Sequence, residues 1–452
     1  MTPVIIQNIY YFLALLAFVW MIWRYHSSAF LLLLLCMGFE WTLIYWISGL
    51  SAQYMRVIYV VWISYLMYKT NVLSVLRGKM LMLLWTFIAF SAYFIIISLI
   101  VNFDTLLMTF SQYSKYYVPF AAMLVFCAYH RKNPGYTVYF NKFFGEFILI
   151  QIISAVLKYT LFGFRYREGM LGTFGQIDGG GAGTSFPLVV LAWVLVNSNM
   201  EIKGWKSWLF VAGILLVGIA AGKRAVVIMF PAFFVLFAMF VARRRYKKGV
   251  VVTIALAPLL FYFGLRLTPT LNPEQKVWGS FDPEYALNYA EDYSMGVENK
   301  RGDRGEGNGR VGANMLIFKR LADTDHYTSE SWFGYGLDRI YAYKTGTYDD
   351  RAYNFGINHR GSMTGWIMMY LSIGLIGLVL FMIYYWFYFT PVRYMRLRLS
   401  LYIMVMFDFI FYNTEIIRTP ILAIVLISVM YYSQLQYTPQ GQFVGLKHPF
   451  LR

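Results

Sequence analysis

The sequence predicts an all-α polytopic integral membrane protein, with about 12–13 transmembrane helices and one large outer loop holding short helices. Three observations predict it. Of the 452 residues, 59% are hydrophobic and only 13% are charged, where soluble domains carry about 25% charged residues. The apolar residues gather into runs of about 15–25, the length at which a helix crosses roughly 30 Å of hydrocarbon. The basic residues, which give a net charge of +17, sit mostly in short loops between those runs. That placement is the topological bias of a membrane protein, so lipids are expected as partners and nucleic acid is not. A soluble enzyme is excluded. A disulfide-stapled secreted domain is excluded too, because Cys36 and Cys127 lie inside separate apolar runs.

The runs are read in chain order. The first, 4–23, has neither a basic leader nor a small-residue cleavage site, so it is read as a span. Runs at 28–48, 55–68, 80–101, 116–129 and 138–163 follow. Of these, 55–68 and 116–129 are short and suggest tilted or re-entrant segments. Runs at 184–198, 206–221, 225–242 and 249–265 complete a first block, 1–265, of ten helices. A polar stretch, 266–362, then separates them from spans at 363–389, 399–413 and 419–433, which with a cytoplasmic tail fill 363–452.

Orientation follows from the basic residues. Nineteen of the 39 Lys and Arg lie in one set of loops, among them Arg24, Arg131, Lys132, the cluster Arg243–Lys248, Arg393, Arg396 and Arg398. Those loops are cytoplasmic by the positive-inside rule. The long stretch 266–362 then falls outside, and loops of that length are usually functional. Within it, Arg310–Leu321 (RVGANMLIFKRL) carries apolar residues at helical spacing, at Val311, Met315, Ile317 or Phe318, and Leu321. This predicts an amphipathic helix lying on the membrane surface or over a cavity. No internal repeat is detectable, so the inverted-repeat plan of secondary transporters gains no support.

The informative basic residues are those on the outer face, against the rule. Arg165 and Arg167 precede Gly172-Thr173-Phe174-Gly175 and a Gly-rich run, 179–183. Lys223 and Arg224 occupy the tight connection Ala221–Ala225. Arg310 opens the amphipathic segment and Lys319 and Arg320 end it, while His359 and Arg360 lead into the eleventh span. Outward arginines near a membrane suit an anion with planar oxygen groups, a phosphate or pyrophosphate. A Gly-rich turn entering a helix adds backbone donors. Taken singly, each of these cations equally suits a lipid headgroup or a neighbouring carboxylate.

Of five histidines, only His326 and His359 face outward. His359 is placed either to take a proton from a hydroxyl or to anchor the start of its helix. No metal-ligand spacing is present, and no metal or other cofactor is expected. Glu40, Glu146 and Asp408 lie within apolar runs, where each costs about 2.5–3.5 kcal/mol on insertion scales, and read as paired with arginines or as protonated between helices. Glu415 and Arg418 read as a mutual pair. The aromatic residues read as interfacial belts, although Trp278, Tyr285, Tyr293, Trp332 and Tyr335 in the outer loop suit stacking on sugar rings.

Four features together resemble the O-antigen polymerase/ligase (Wzy/WaaL-like) superfamily of bacterial envelope glycosyltransferases. Arg167 followed by LGTFG resembles its outer loop before the middle helices. Ala221-Gly222-Lys223-Arg224-Ala225 resembles its Ser-Arg-Gly-type turn, with Arg224 in the arginine position. The stretch from Arg310 to Trp332-Phe333-Gly334-Tyr335-Gly336-Leu337 resembles its large periplasmic loop. His359 and the later Gly374-Leu375-Ile376-Gly377 resemble its His and Gly-x-x-Gly helix. The likeness covers roughly residues 160–390. Two departures stand out: Gly374 follows His359 by fifteen residues, about one helical turn more than the family pattern, and Arg360 replaces the usual Asn, Ser or Gln.

The resemblance implies a metal-independent glycosyltransferase of the bacterial inner membrane, with its active site facing the periplasm. Its donor would be an undecaprenyl-diphosphate-linked oligosaccharide, and a flippase and a chain-length regulator of the same pathway would be its partners. Arg224 and Arg310 would hold the pyrophosphate, with Arg165, Arg167, Lys223, Arg320 and Arg360 binding the diphosphate or glycan. His359 or a loop acid would deprotonate the acceptor hydroxyl. In a polymerase that acceptor is the sugar end of another lipid-linked repeat unit; in a ligase it is lipid A core. Polymerase is preferred here because the His motif departs from the ligase pattern. A transporter or flippase would instead show repeats, broken helices and ionisable groups deep in several spans.

Overall fold

The computed structural model describes residues 3–25, 28–44, 52–162, 172–173, 182–197, 209–213, 217–218, 224–241, 258–259, 261–268, 271–276, 278–294, 309–323, 328–341, 355–357, 362–412, 416 and 419–436. Helix dominates them, and among the described residues there is no strand.

The chain opens with α1 (Pro3–Tyr25), α2 (Ala29–Gly38) and the short α3 (Glu40–Leu43). It continues through α4 (Ala52–Lys69), α5 (Lys79–Ile96, prolonged by one wide turn, Ile97–Val101), α6 (Leu106–Lys132), α7 (Gly135–Phe162), α8 (Ala182–Asn197) and α9 (Arg224–Val241). The polar stretch 266–362 contributes α10 (Pro283–Ser294), α11 (Gly309–Ala322), α12 (Ser329–Phe333) and α13 (Leu337–Tyr341). The last three are α14 (Gly365–Tyr388), α15 (Met395–Phe411) and α16 (Pro420–Gln436). Four segments are long and apolar enough to cross a membrane: Val4–Tyr25, Lys79–Val101, Gly135–Lys158 and Gly365–Tyr388. The protein is an all-α membrane protein.

The burial pattern explains why. The peripheral helices α1, α4 and α5 expose large apolar side chains such as Leu16, Val61, Trp85 and Ile88, which only hydrocarbon solvates without cost. Inside the bundle, α16 packs on α6, α7 and α8, and its residues from Ile421 to Ser433 are buried. Aromatic rings carry much of the contact between α5 and α14. Phe87 packs on Tyr384 (5.2 Å), Phe90 on Phe381 (5.6 Å), and Tyr93 donates to the Ile373 carbonyl (2.9 Å). The two helices therefore run antiparallel, and α5 ends level with residues 372–374 of its neighbour.

Two expectations need correction. The short run 116–129 is only the second half of α6, a helix of 27 residues. Its first half carries Thr109, Ser111, Gln112, Ser114 and Lys115, which lowers hydropathy, yet four of these five are buried between helices. The run 363–389 is not one straight span: α14 breaks at Gly374, where φ is +74° and ψ −177°. A broken helix is one of the features expected of a transporter, and it is explained below.

Two of the three acids in apolar runs, Glu146 and Asp408, have polar partners. Glu146 meets Arg24 Nε at 2.8 Å. Asp408 accepts from Ser185 Oγ (2.8 Å) and from the Ile416 amide (3.2 Å), tying α15 to α8. The suggested pair Glu415–Arg418 lies outside the described residues.

Candidate functional site

The break in α14 frees carbonyls that a continuous helix would satisfy internally. The segment between α12 and α13 supplies their partners. After α12, Gly334 and Gly336 turn the chain with φ of +85° and +95°. The amides of Tyr335 and Gly336 then donate to the carbonyls of Leu371 (2.7 Å) and Ser372 (3.2 Å). From α5, Tyr93 Oη bridges the carbonyls of Trp332 and Ile373. Among the described residues, the break is thus bridged by protein backbone.

A carboxylate completes the latch. Asp104, buried just past α5, accepts from the amides of Leu337 (2.8 Å) and Asp338 (2.9 Å) at the start of α13. Asp338 returns the contact through the Thr105 amide (2.7 Å) and hydroxyl (3.0 Å). Burial pushes the Asp104 carboxyl above the ordinary carboxylate range, against the pull of its two amide donors.

Above this latch, α11 lies against the start of α14. The helix is the one expected from Arg310–Leu321, but its buried face is Gly312, Ala313, Asn314 and Ile317. Met315 and Phe318, expected on the apolar stripe, are 52% and 55% exposed. Phe318 stacks on Trp366 at 4.7 Å, and Trp366 Nε1 donates to Asn314 Oδ1. Asn314 in turn donates to the Arg310 carbonyl (2.7 Å). The Arg310 guanidinium lies 4.6 Å over the ring of Tyr412, and the Tyr412 carbonyl accepts from the Gly365 amide that opens α14. A guanidinium over an aromatic face is attracted by the ring quadrupole, which favours a defined seat for Arg310.

Arg310 is therefore held where α11, the start of α14 and the end of α15 meet. At the other end of α11, Arg320 Nη2 lies 3.7 Å from where a Cβ on Gly356 would stand, three residues before His359. Tyr335 packs on Phe355 at 4.7 Å, joining that strip to the latch. Arg224 opens α9, which packs on α8 and α15. Arg165, Arg167, Lys223, His359 and Arg360 lie outside the described residues. Of the aromatic residues assigned to sugar stacking, Trp278 packs on Arg266 (4.4 Å) and Tyr285 on Tyr289 (6.1 Å). Among the described residues no three His, Cys, Asp or Glu side chains gather to hold a metal ion.

Sequence reasoning missed a second anchor. Gly172 and Thr173, inside the Arg167–Gly175 stretch, are clamped by the bundle. The Thr173 amide donates to Gln151 Oε1 (2.6 Å), and its hydroxyl donates to the Gly38 carbonyl (2.8 Å). Lys158 Nζ donates to the Gly172 carbonyl (2.8 Å) and sits over the Tyr10 ring (5.0 Å). The signal was Lys158 itself, a cation near the end of an otherwise apolar run. No family model matches the chain, and no curated protein matches it.

Proposed function

We propose that the chain is a polysaccharide polymerase of the O-antigen type, a metal-independent glycosyltransferase at the outer face of a bacterial cytoplasmic membrane. It would carry 12–13 spans and act on an undecaprenyl-diphosphate-linked glycan. The observation that carries this reading is the seat of Arg310. A guanidinium lies 4.6 Å over an aromatic ring where three helix ends meet. That is how a protein presents a bidentate donor to a phosphate rather than a flexible charge.

In the reaction, a hydroxyl of the acceptor sugar attacks the anomeric carbon of the donor glycan. The bond from that carbon to the phosphate oxygen breaks, and undecaprenyl diphosphate leaves with the electron pair. Arg310, with Arg224, neutralises the charge that grows on the departing oxygen. His359 accepts the hydroxyl proton. Arg165, Arg167, Lys223, Arg320 and Arg360 hold the remaining phosphate and sugar oxygens. Asn314 and Phe318 seat α11 on Trp366 at the start of α14, so that Arg310 would meet a headgroup and not the lipid tail.

The test is purified protein in lipid with a synthetic undecaprenyl-diphosphate-linked repeat unit and chelator present. A ladder of lipid-linked multimers supports the polymerase. Transfer that appears only after lipid A core is added makes the protein a ligase. Silence with the organism's own repeat unit under both conditions overturns a transferase reading.

A further inference from the structure

The outer end of α5 carries an apolar surface that the proposed reaction does not use. Phe103, in the turn beyond the span, and Leu106 and Leu107, in the first turn of α6, are 82%, 73% and 62% exposed. Phe103 is held at φ +52°, a backbone conformation that bulky residues rarely adopt. Beside them lie Trp332 and Phe333 of α12, 42% and 36% exposed. The two groups are joined by Asn102, whose amide donates to the Phe333 carbonyl at 3.4 Å.

What covers this surface follows from its continuity. Along α5 the exposed residues Trp85, Ile88, Ile96 and Ile100 recur at helical spacing and form the lipid-facing stripe of a membrane-spanning segment. That stripe runs directly into Phe103. Directly behind the apolar group stand Asp104, Thr105 and Asp338, bonded to one another's backbone, with Arg339 exposed. The patch is therefore amphipathic, apolar toward the lipid stripe and charged toward the latch. Aromatic and aliphatic side chains so arranged sit at the boundary of hydrocarbon and headgroups.

We infer that Phe103, Leu106, Leu107, Trp332 and Phe333 form an interfacial wedge seated in the outer leaflet of the bilayer. The partner is the lipid surface itself. The outer stretch is then a membrane-embedded element at this point and not a loop free in water. Trp332, expected from sequence to stack on sugar, serves lipid instead. This inference is independent of the reaction proposed.

The experiment is site-directed spin labelling in reconstituted bilayers, in a background with Cys36→Ser and Cys127→Ala. Single cysteines are placed at Phe103, Leu107 and Trp332, with Ile88 as a lipid-facing reference and Arg339 as an aqueous one. Relaxation by oxygen is compared with relaxation by a water-soluble nickel chelate. The wedge predicts that all three labels favour oxygen, less strongly than Ile88 and clearly more than Arg339. Labels at Phe103 and Leu107 that match Arg339 overturn it. If Phe103→Cys fails to fold, Leu106→Cys takes its place with the same two outcomes.

Discussion

Gly334 and Gly374 approach backbone to backbone. A Cβ on Gly374 would lie 2.1 Å from the Trp332 carbonyl oxygen, and one on Gly334 would lie 2.4 Å from that of Ser372. Neither atom belongs to a side chain that can swing away. Two residues forty apart in sequence thus meet with no room for a methyl group, and both stand at positive φ.

Gly374→Ala is expected to lower thermal stability by more than backbone strain alone. Gly78 supplies the comparison, since it also has positive φ but nothing within 4 Å of its absent Cβ. Gly78→Ala should cost about 1–3 kcal/mol, the strain of a sparsely populated backbone conformation that glycine alone adopts readily. Gly374→Ala should exceed that clearly and should open the 329–341 region to limited proteolysis. Equal melting temperatures for the two variants would show that the latch is not packed as described.

Asp104→Asn is expected to loosen the start of α13. An amide presents one acceptor oxygen where the carboxylate presents two, and an unsatisfied buried donor costs about 1–3 kcal/mol. The pH dependence has a definite sign. The folded carboxyl binds its proton more tightly than the unfolded one, because burial raises it. Its contribution is full below the ordinary carboxylate value and falls as pH rises through the raised one. Melting curves across acidic pH should show that slope in the native protein and lose it in Asp104→Asn.

Thr173→Val removes the hydroxyl that caps the Gly38 carbonyl and contacts Gln151 while keeping the volume of the side chain. A loss of about 1–3 kcal/mol is expected, with Thr173→Ser retaining most of the stability. If the valine variant melts like the native protein, the clamp at residues 172–173 carries no energy.

For the proposed reaction, Arg310→Ala should lower the rate of chain extension by about 10²–10³, as loss of one preorganised charge-stabilising donor does elsewhere. Tyr412→Phe keeps the stacking ring and should stay within a few-fold of native. Tyr412→Leu, which loses the quadrupole that seats the guanidinium, should fall between them. Initial rates of ladder formation at saturating lipid-linked substrate decide the order.

Much of the helical plan was legible because hydrophobic runs of membrane length are determined locally. The first half of α6 was not, since its polar residues mimic a loop until helix neighbours bury them. Arg310 was legible as a cation opening an amphipathic segment. Its seat on Tyr412 was not, because a contact across a hundred residues leaves no local trace. The same holds for the latch: Trp332–Leu337 and Gly374–Gly377 read as two separate motifs, and only the freed carbonyls at 371–373 make them one unit. Trp332 reads from sequence as a sugar-stacking ring; only its exposure and its place beside Phe103 and the α5 stripe argue for lipid.

The central claim is that Arg310 holds a diphosphate. Affinity for undecaprenyl diphosphate, measured with the protein in lipid nanodiscs, tests it most directly. Hydrogen bonds to charged groups contribute about 1.5–3 kcal/mol, or roughly 10- to 150-fold. Arg310→Ala should therefore weaken binding by at least about tenfold, Arg310→Lys by less, and the exposed Lys319→Ala hardly at all. Native affinity retained in Arg310→Ala, in a protein that still melts normally, would contradict the account.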